Sequence, residues 1–173
     1  MENSVTTINA GMKFGLFTGL ALIVFDLILY VAGLKDPADA NPVQHLSWLI
    51  LIGGIIMGIK FFKDNNDGLL TLGQSMGAGT MAALIAGVII AVYLILFMTV
   101  IDTSFIEEVR AVAKQQAMEQ NNLSEEDYEQ MAGMMNIFTS PTFLAITSVI
   151  MYTITGAIIS LIGGLVMKND RGV

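Results

Sequence analysis

The run from Phe14 to Leu34 is apolar but for one charged residue, the carboxylate of Asp26 near its middle. A bilayer core of about 30 Å takes about 20 residues of helix, so this run is long enough to cross it. A carboxylate at that depth costs about 2.5–3.5 kcal/mol on insertion scales, which requires it to face protein and find a donor, or to carry a proton. Whatever else the chain forms must supply that partner.

Of 173 residues, 54% are hydrophobic and only 13% charged, a composition that places the chain in the helical membrane class. The absence of Cys excludes disulfides, thiolate catalysis and Cys-based metal sites. The net charge is −7, with the acid concentrated in one segment, which argues against nucleic acid and against a polybasic lipid-binding surface. Lys13 followed by Ala38-Asp39-Ala40 imitates a cleavable signal peptide. A secretory apolar region spans about 7–15 residues, and this one is longer and contains Asp26, so the run is kept as the first span.

Gly11, Gly15 and Gly19 form a GxxxGxxxG ladder, and Asp26, seven residues on, returns to nearly the same face. A second span is expected over 46–62, with His45 and Trp48 as anchors at one interface, Lys60 and Lys63 at the other, and Gly54 and Gly58 as a close-contact face. After the turn Asp64 to Gly68, Leu69 to Ile101 is too long for one perpendicular crossing, at about 50 Å if helical. The third span is therefore taken as 72–101, with Gly73 to Gly79 bending or lying in the interface as its start, and with Gly79, Ala83, Gly87 and Ala91 as a small-residue row.

The polar insert 102–141 reads as two amphipathic helices. Ser104 with Glu107 is the expected capping box of one, ended by Asn121-Asn122; Ser124 with Asp127 is that of the other, with Leu123 stapled onto Tyr128. Ser140-Pro141 then opens a fourth span over 142–167, with Ser148, Tyr152, Gly156 and Ser160 along one face. The fold class expected is all-α: one integral membrane domain over 1–173, a four-transmembrane-helix bundle with an extracytoplasmic amphipathic helical hairpin between spans three and four.

Lys13, Lys60, Lys63, Lys168 and Arg171 fall on one side, against Lys35, Arg110 and Lys114 on the other. The positive-inside rule then makes both termini cytoplasmic and the acidic insert extracytoplasmic. Leu51 to Met57 echoes Leu161 to Met167, and Leu27-Ile28-Leu29 after Asp26 echoes Leu94-Ile95-Leu96 after Tyr93, as a duplicated hairpin would. At matching depth, Asp26 is expected to accept a hydrogen bond from Tyr93 or Tyr152.

An intramembrane carboxylate invites proton-linked transport, but no second carboxylate, Arg or His lies deep in any span, so a relay has no next station. A structural clamp is the better reading. Aspartyl proteolysis would need a second Asp. Met131, Met134 and Met135 suit packing better than Cu(I), and the Glu125-Glu126-Asp127-Glu129 run lacks the Gly turn of a Ca²⁺ loop. No catalytic residue, cofactor or metal ligand is expected. The partners expected are the lipid bilayer and a membrane or periplasmic protein met through 102–141, with no nucleic acid; association with a second copy is left open.

Lys13-Phe14-Gly15 entering the first span, Asp67-Gly68 through Leu72-Gly73-Gln74 before the third, Phe105-Ile106-Glu107-Glu108 opening a Met- and Glu-rich pair, and Ser140-Pro141 before the last stand together here. In this combination the chain resembles the domain of unknown function 4199 family of small bacterial four-span membrane proteins, over nearly its whole length. The resemblance implies an integral inner-membrane protein of Gram-negative bacteria and brings no activity, ligand or catalytic residue with it. The function expected is that of a non-enzymatic membrane scaffold or accessory subunit; a small proton-linked transporter or channel working through Asp26 is the alternative.

Overall fold

The computed structural model describes residues 5–37, 42–121 and 124–169. Helix α1, Thr7–Val31, begins earlier than the apolar run because the Thr6 hydroxyl accepts the Asn9 amide, and it ends where Gly33 takes a φ of +68°. The first span is thus shifted toward the N-terminus from the expected 14–34. A 3₁₀ turn, Pro42–His45, leads into α2, Leu46–Asp64, which closes in a turn carrying Asp67 and Gly68 at positive φ.

Helix α3, Leu72–Leu96, stays α-helical through Gly73 to Gly79, with no break in that stretch. Two causes keep it helical there. Thr71 and Gln74 close a capping box at its start, and Ser75 and Gly79 are packed against α6, where Ser75 Oγ donates to Ser160 O at 2.9 Å. The irregularity sits at the other end, in a π turn, Phe97–Ile101, where the Asp102 amide reaches back five residues to Phe97 O.

Helix α4, Phe105–Asn121, is capped by Asp102 and not by Ser104: one Asp102 carboxylate oxygen accepts from the Ser104 and Phe105 amides and from the Ser104 hydroxyl. The Ser104 hydroxyl is drawn off as a donor to Asp102, and the Glu107 amide bonds to Ser104 O instead, so the expected Ser104–Glu107 box does not form. Helix α5, Glu125–Phe138, does open with the Ser124–Asp127 box, and α6, Pro141–Met167, with the Ser140 cap and Pro141 in its first turn. The Leu123 staple, the stop at Asn122, Ala38-Asp39-Ala40 and Arg171 lie outside the described residues.

Among the described residues these six α-helices are joined by no strand, only by one bridged pair, Leu70 with Asn169. Four of the helical stretches, Thr7–Val31, Pro42–Asp64, Leu72–Ile101 and Pro141–Met167, are long and apolar enough to cross a membrane. They pack by exclusion of side-chain bulk. A Cβ at Gly11 would stand 2.6 Å from Met81 Cβ, and one at Gly15 2.6 Å from Ala82 O, so α1 and α3 run parallel at near backbone contact. Gly19 continues this seam against Ile89; Gly54 and Gly58 bring α2 onto Thr18 and Phe14.

Helix α6 lies antiparallel on α3, with Ser160 against Gly79, Ala83 against Gly156 and Tyr152 against Gly87. On α1 and α6 large side chains line the outer face: Ile146, Ile150, Ile154, Ile158 and Ile162 recur every fourth residue on the exposed face of α6, and Leu16, Leu20, Val24 and Ile28 do so on α1. Small residues inside and branched ones outside is the arrangement expected where the surroundings are hydrocarbon. At the end that carries α4, Tyr93, Phe97, Met98 and Phe105 form a separate core packed by Ile106 and Val109 of that helix.

Candidate functional site

That aromatic end holds Asp26. Because glycines let α1 and α3 approach, Asp26 and Tyr93 face each other across the seam, and Tyr93 Oη donates to Asp26 Oδ2 at 2.5 Å. The left-handed turn at Gly33 then folds the chain back over the helix end. It delivers Lys35, whose Nζ donates to the same Oδ2 at 2.5 Å.

The ammonium is enclosed by rings. It stands 3.5 Å from the centroid of Phe97, 5.0 Å from that of Phe105 and 5.6 Å from that of Tyr93. Phe105 and Tyr30 both meet Phe97 edge-on, at centroid distances of 5.3 and 5.0 Å. The π turn contributes here, since adjacent residues Phe97 and Met98 are both buried beside the ion pair. The Lys35 side chain is 11% exposed and that of Asp26 31%, so the cation is sunk deeper than its counter-ion. Burial pushes the Lys35 ammonium below the usual lysine value, with Asp26 pulling the other way.

Beside the pair lies a half-open cavity of 290 Å³, reached from the end of the bundle that carries the α1–α2 connection. Asp26, Lys35, Tyr93, Gln44, Ser47 and Tyr152 are among its walls. Tyr152, the other donor considered for Asp26, lines this cavity and makes no hydrogen bond to the carboxylate. His45 is an exposed residue at the entry to α2, next to half-exposed Trp48.

Reasoning from sequence missed Lys35, Phe97 and Phe105. It sought a partner for Asp26 on the other spans, whereas the cation comes from the loop closing the same helix. The available signal was a lysine nine residues beyond a buried carboxylate with a Gly turn between them. The α4–α5 pair carries a second, exposed ion pair, Lys114 with Glu125 at 2.7 Å, and leaves Met131, Met134, Ile137 and Phe138 of α5 exposed. Among the described residues, no group of three or more His, Asp or Glu is placed to hold a metal ion.

A family model with the description protein of unknown function (DUF4199) matches residues 13–169. No curated protein and no solved structure matches the chain.

Proposed function

We propose, from the premise that the chain belongs to this family of proteins of unknown function (DUF4199), that it is a non-enzymatic integral membrane protein acting as a scaffold or accessory subunit. The observation that carries this reading is the double engagement of Asp26 Oδ2 by Lys35 and Tyr93, with the ammonium boxed by Phe97 and Phe105. A carboxylate so held is a strut: it ties the α1–α2 connection to α3 and, through Phe105, to α4. A proton carrier needs the opposite, a carboxylate that exchanges its charge during each cycle.

The bilayer in question is the inner membrane, with both termini in the cytoplasm and α4–α5 in the periplasm. Lys13, Lys60, Lys63 and Lys168 gather at one end of the bundle, where Lys63 Nζ donates to Met167 O at 2.8 Å. At the opposite end the charge of Lys35 is cancelled by Asp26, which weakens the competing positive side. The exposed apolar side chains of α5 are the surface offered to a protein partner.

The test is proton flux into liposomes containing the purified chain and a trapped pH-sensitive dye, under an imposed pH gradient. The scaffold reading expects flux equal to that of empty liposomes for the wild-type chain and for Asp26→Asn. Flux above that level that disappears in Asp26→Asn overturns it in favour of the transporter.

A further inference from the structure

The strut leaves half of its carboxylate unused. Lys35 and Tyr93 both bind Oδ2, while Oδ1 accepts no hydrogen bond and is not a sealed polar atom, and Asp26 is part of the wall of the 290 Å³ cavity. Tyr152 Oη keeps its proton on the cavity wall, whereas the two serine hydroxyls there have spent theirs: Ser47 Oγ donates to Gln44 O and Ser148 Oγ to Ala145 O, each at 2.7 Å. What they present to the cavity is lone pairs. Asp36 adds a second carboxylate to the lining, so its charged residues, Asp26 and Asp36 against Lys35, sum to −1. The remaining walls are apolar or aromatic, from Leu22, Phe25, Ile90, Leu94 and Tyr152.

Acceptors and a negative charge at one end, with π faces and aliphatic carbon around them, are the complement of an organic cation. An anion would meet a carboxylate with few donors to offset it. A hydrated metal ion would meet too much hydrocarbon to replace its shell of six or so oxygens. The volume equals about ten waters' worth of liquid, which limits the guest to a small molecule.

We propose that this cavity binds a small organic ammonium, its nitrogen donating to Asp26 Oδ1 and its carbon body lying among Phe25, Ile90 and Tyr152, with Lys35 remaining in its aromatic box. The guest enters from the end of the bundle that holds the α1–α2 connection.

The experiment is calorimetric titration of the full chain in lipid nanodiscs with n-butylammonium chloride, against sodium chloride and n-butanol at matched concentration. Saturable binding of n-butylammonium alone is expected. Ser148→Leu fills the cavity while leaving every hydrogen bond to Asp26 in place; it is expected to weaken that binding by about tenfold or more with an unchanged melting temperature. Asp26→Asn is expected to abolish it, and Ser148→Leu keeps the test decisive where Asp26→Asn fails to fold. Absence of saturable binding, equal binding of sodium or butanol, or full affinity in Ser148→Leu each overturns the proposal.

Discussion

The Lys35 ammonium lies 3.5 Å from the centre of the Phe97 ring while bonded to Asp26, so a single side chain is wedged between a π face and a carboxylate. Each member of the trio is buried for the sake of the other two. Removing Lys35 alone strands Asp26 with only Tyr93, so Lys35→Met is expected to lower stability by about 1–3 kcal/mol. The double variant Asp26→Asn/Lys35→Met should lose less than the two single changes summed, which a thermal double-mutant cycle in micelles reads directly.

The pH dependence of the same residue has a definite sign. With its folded value held below 10.5 by burial, Lys35 releases its proton earlier in the folded chain than in the unfolded one. Stability therefore rises with pH across the interval between that folded value and 10.5, and Lys35→Met lacks the rise. Melting temperatures from neutral to alkaline pH for the two chains check it.

Adjacent glycines on α2 should behave differently. A Cβ at Gly54 would run into Thr18 of α1, whereas one at Gly53 meets nothing within 4 Å. Gly54→Ala is expected to cost about 1–3 kcal/mol by overpacking. Gly53→Ala should be neutral or stabilising by up to about 1 kcal/mol through helix propensity. Unfolding in mixed micelles distinguishes the two.

In the α4–α5 pair, hydrogen bonding from Lys114 holds Glu125 below its ordinary 4.5, and the Ser124 hydroxyl and amide hold Asp127 below its ordinary 3.8. Both shifts are downward, so their support is complete above about pH 4.5 and fades as pH falls through the lowered values. Amide exchange in the first turn of α5 should accelerate in acid relative to that of α6, whose Ser140 cap does not titrate; Asp127→Asn should reduce the difference to the part that Glu125 contributes.

Helix α4 should depend on Asp102 more than on Ser104. Asp102→Ala deprives the Ser104 and Phe105 amides of their acceptor, while Ser104→Ala leaves both bonds to the carboxylate. Faster amide exchange at the start of α4 in Asp102→Ala, with little change in Ser104→Ala, is the expected pattern.

The apolar spans were legible because their length and the spacing of Gly and Ala carry the fold almost alone; Gly15, Gly19, Gly54, Gly79 and Gly156 each stand at a helix contact. Ends were harder to read. Thr6 and Gly33 set the ends of the first helix, and the Ser104 hydroxyl turns to Asp102 instead of to the Glu107 amide by geometry that spacing does not contain. The pairing of Asp26 with Tyr93 followed from facing positions on two parallel helices, but the ammonium completing it needed the path of the loop. Alternating span direction makes α1 and α3 parallel in any four-span chain, so their pairing adds no weight to a duplicated hairpin.

Lys35 follows Asp26 by only nine residues in the chain. At a synthesis rate of about 5–20 residues per second the cation emerges within about two seconds of the carboxylate, long before Tyr93 exists. The α1 segment thus meets the translocon with its own charge compensation and can be integrated before α3 is made. The contact that braces the finished bundle is, at birth, a means of getting an acid into lipid.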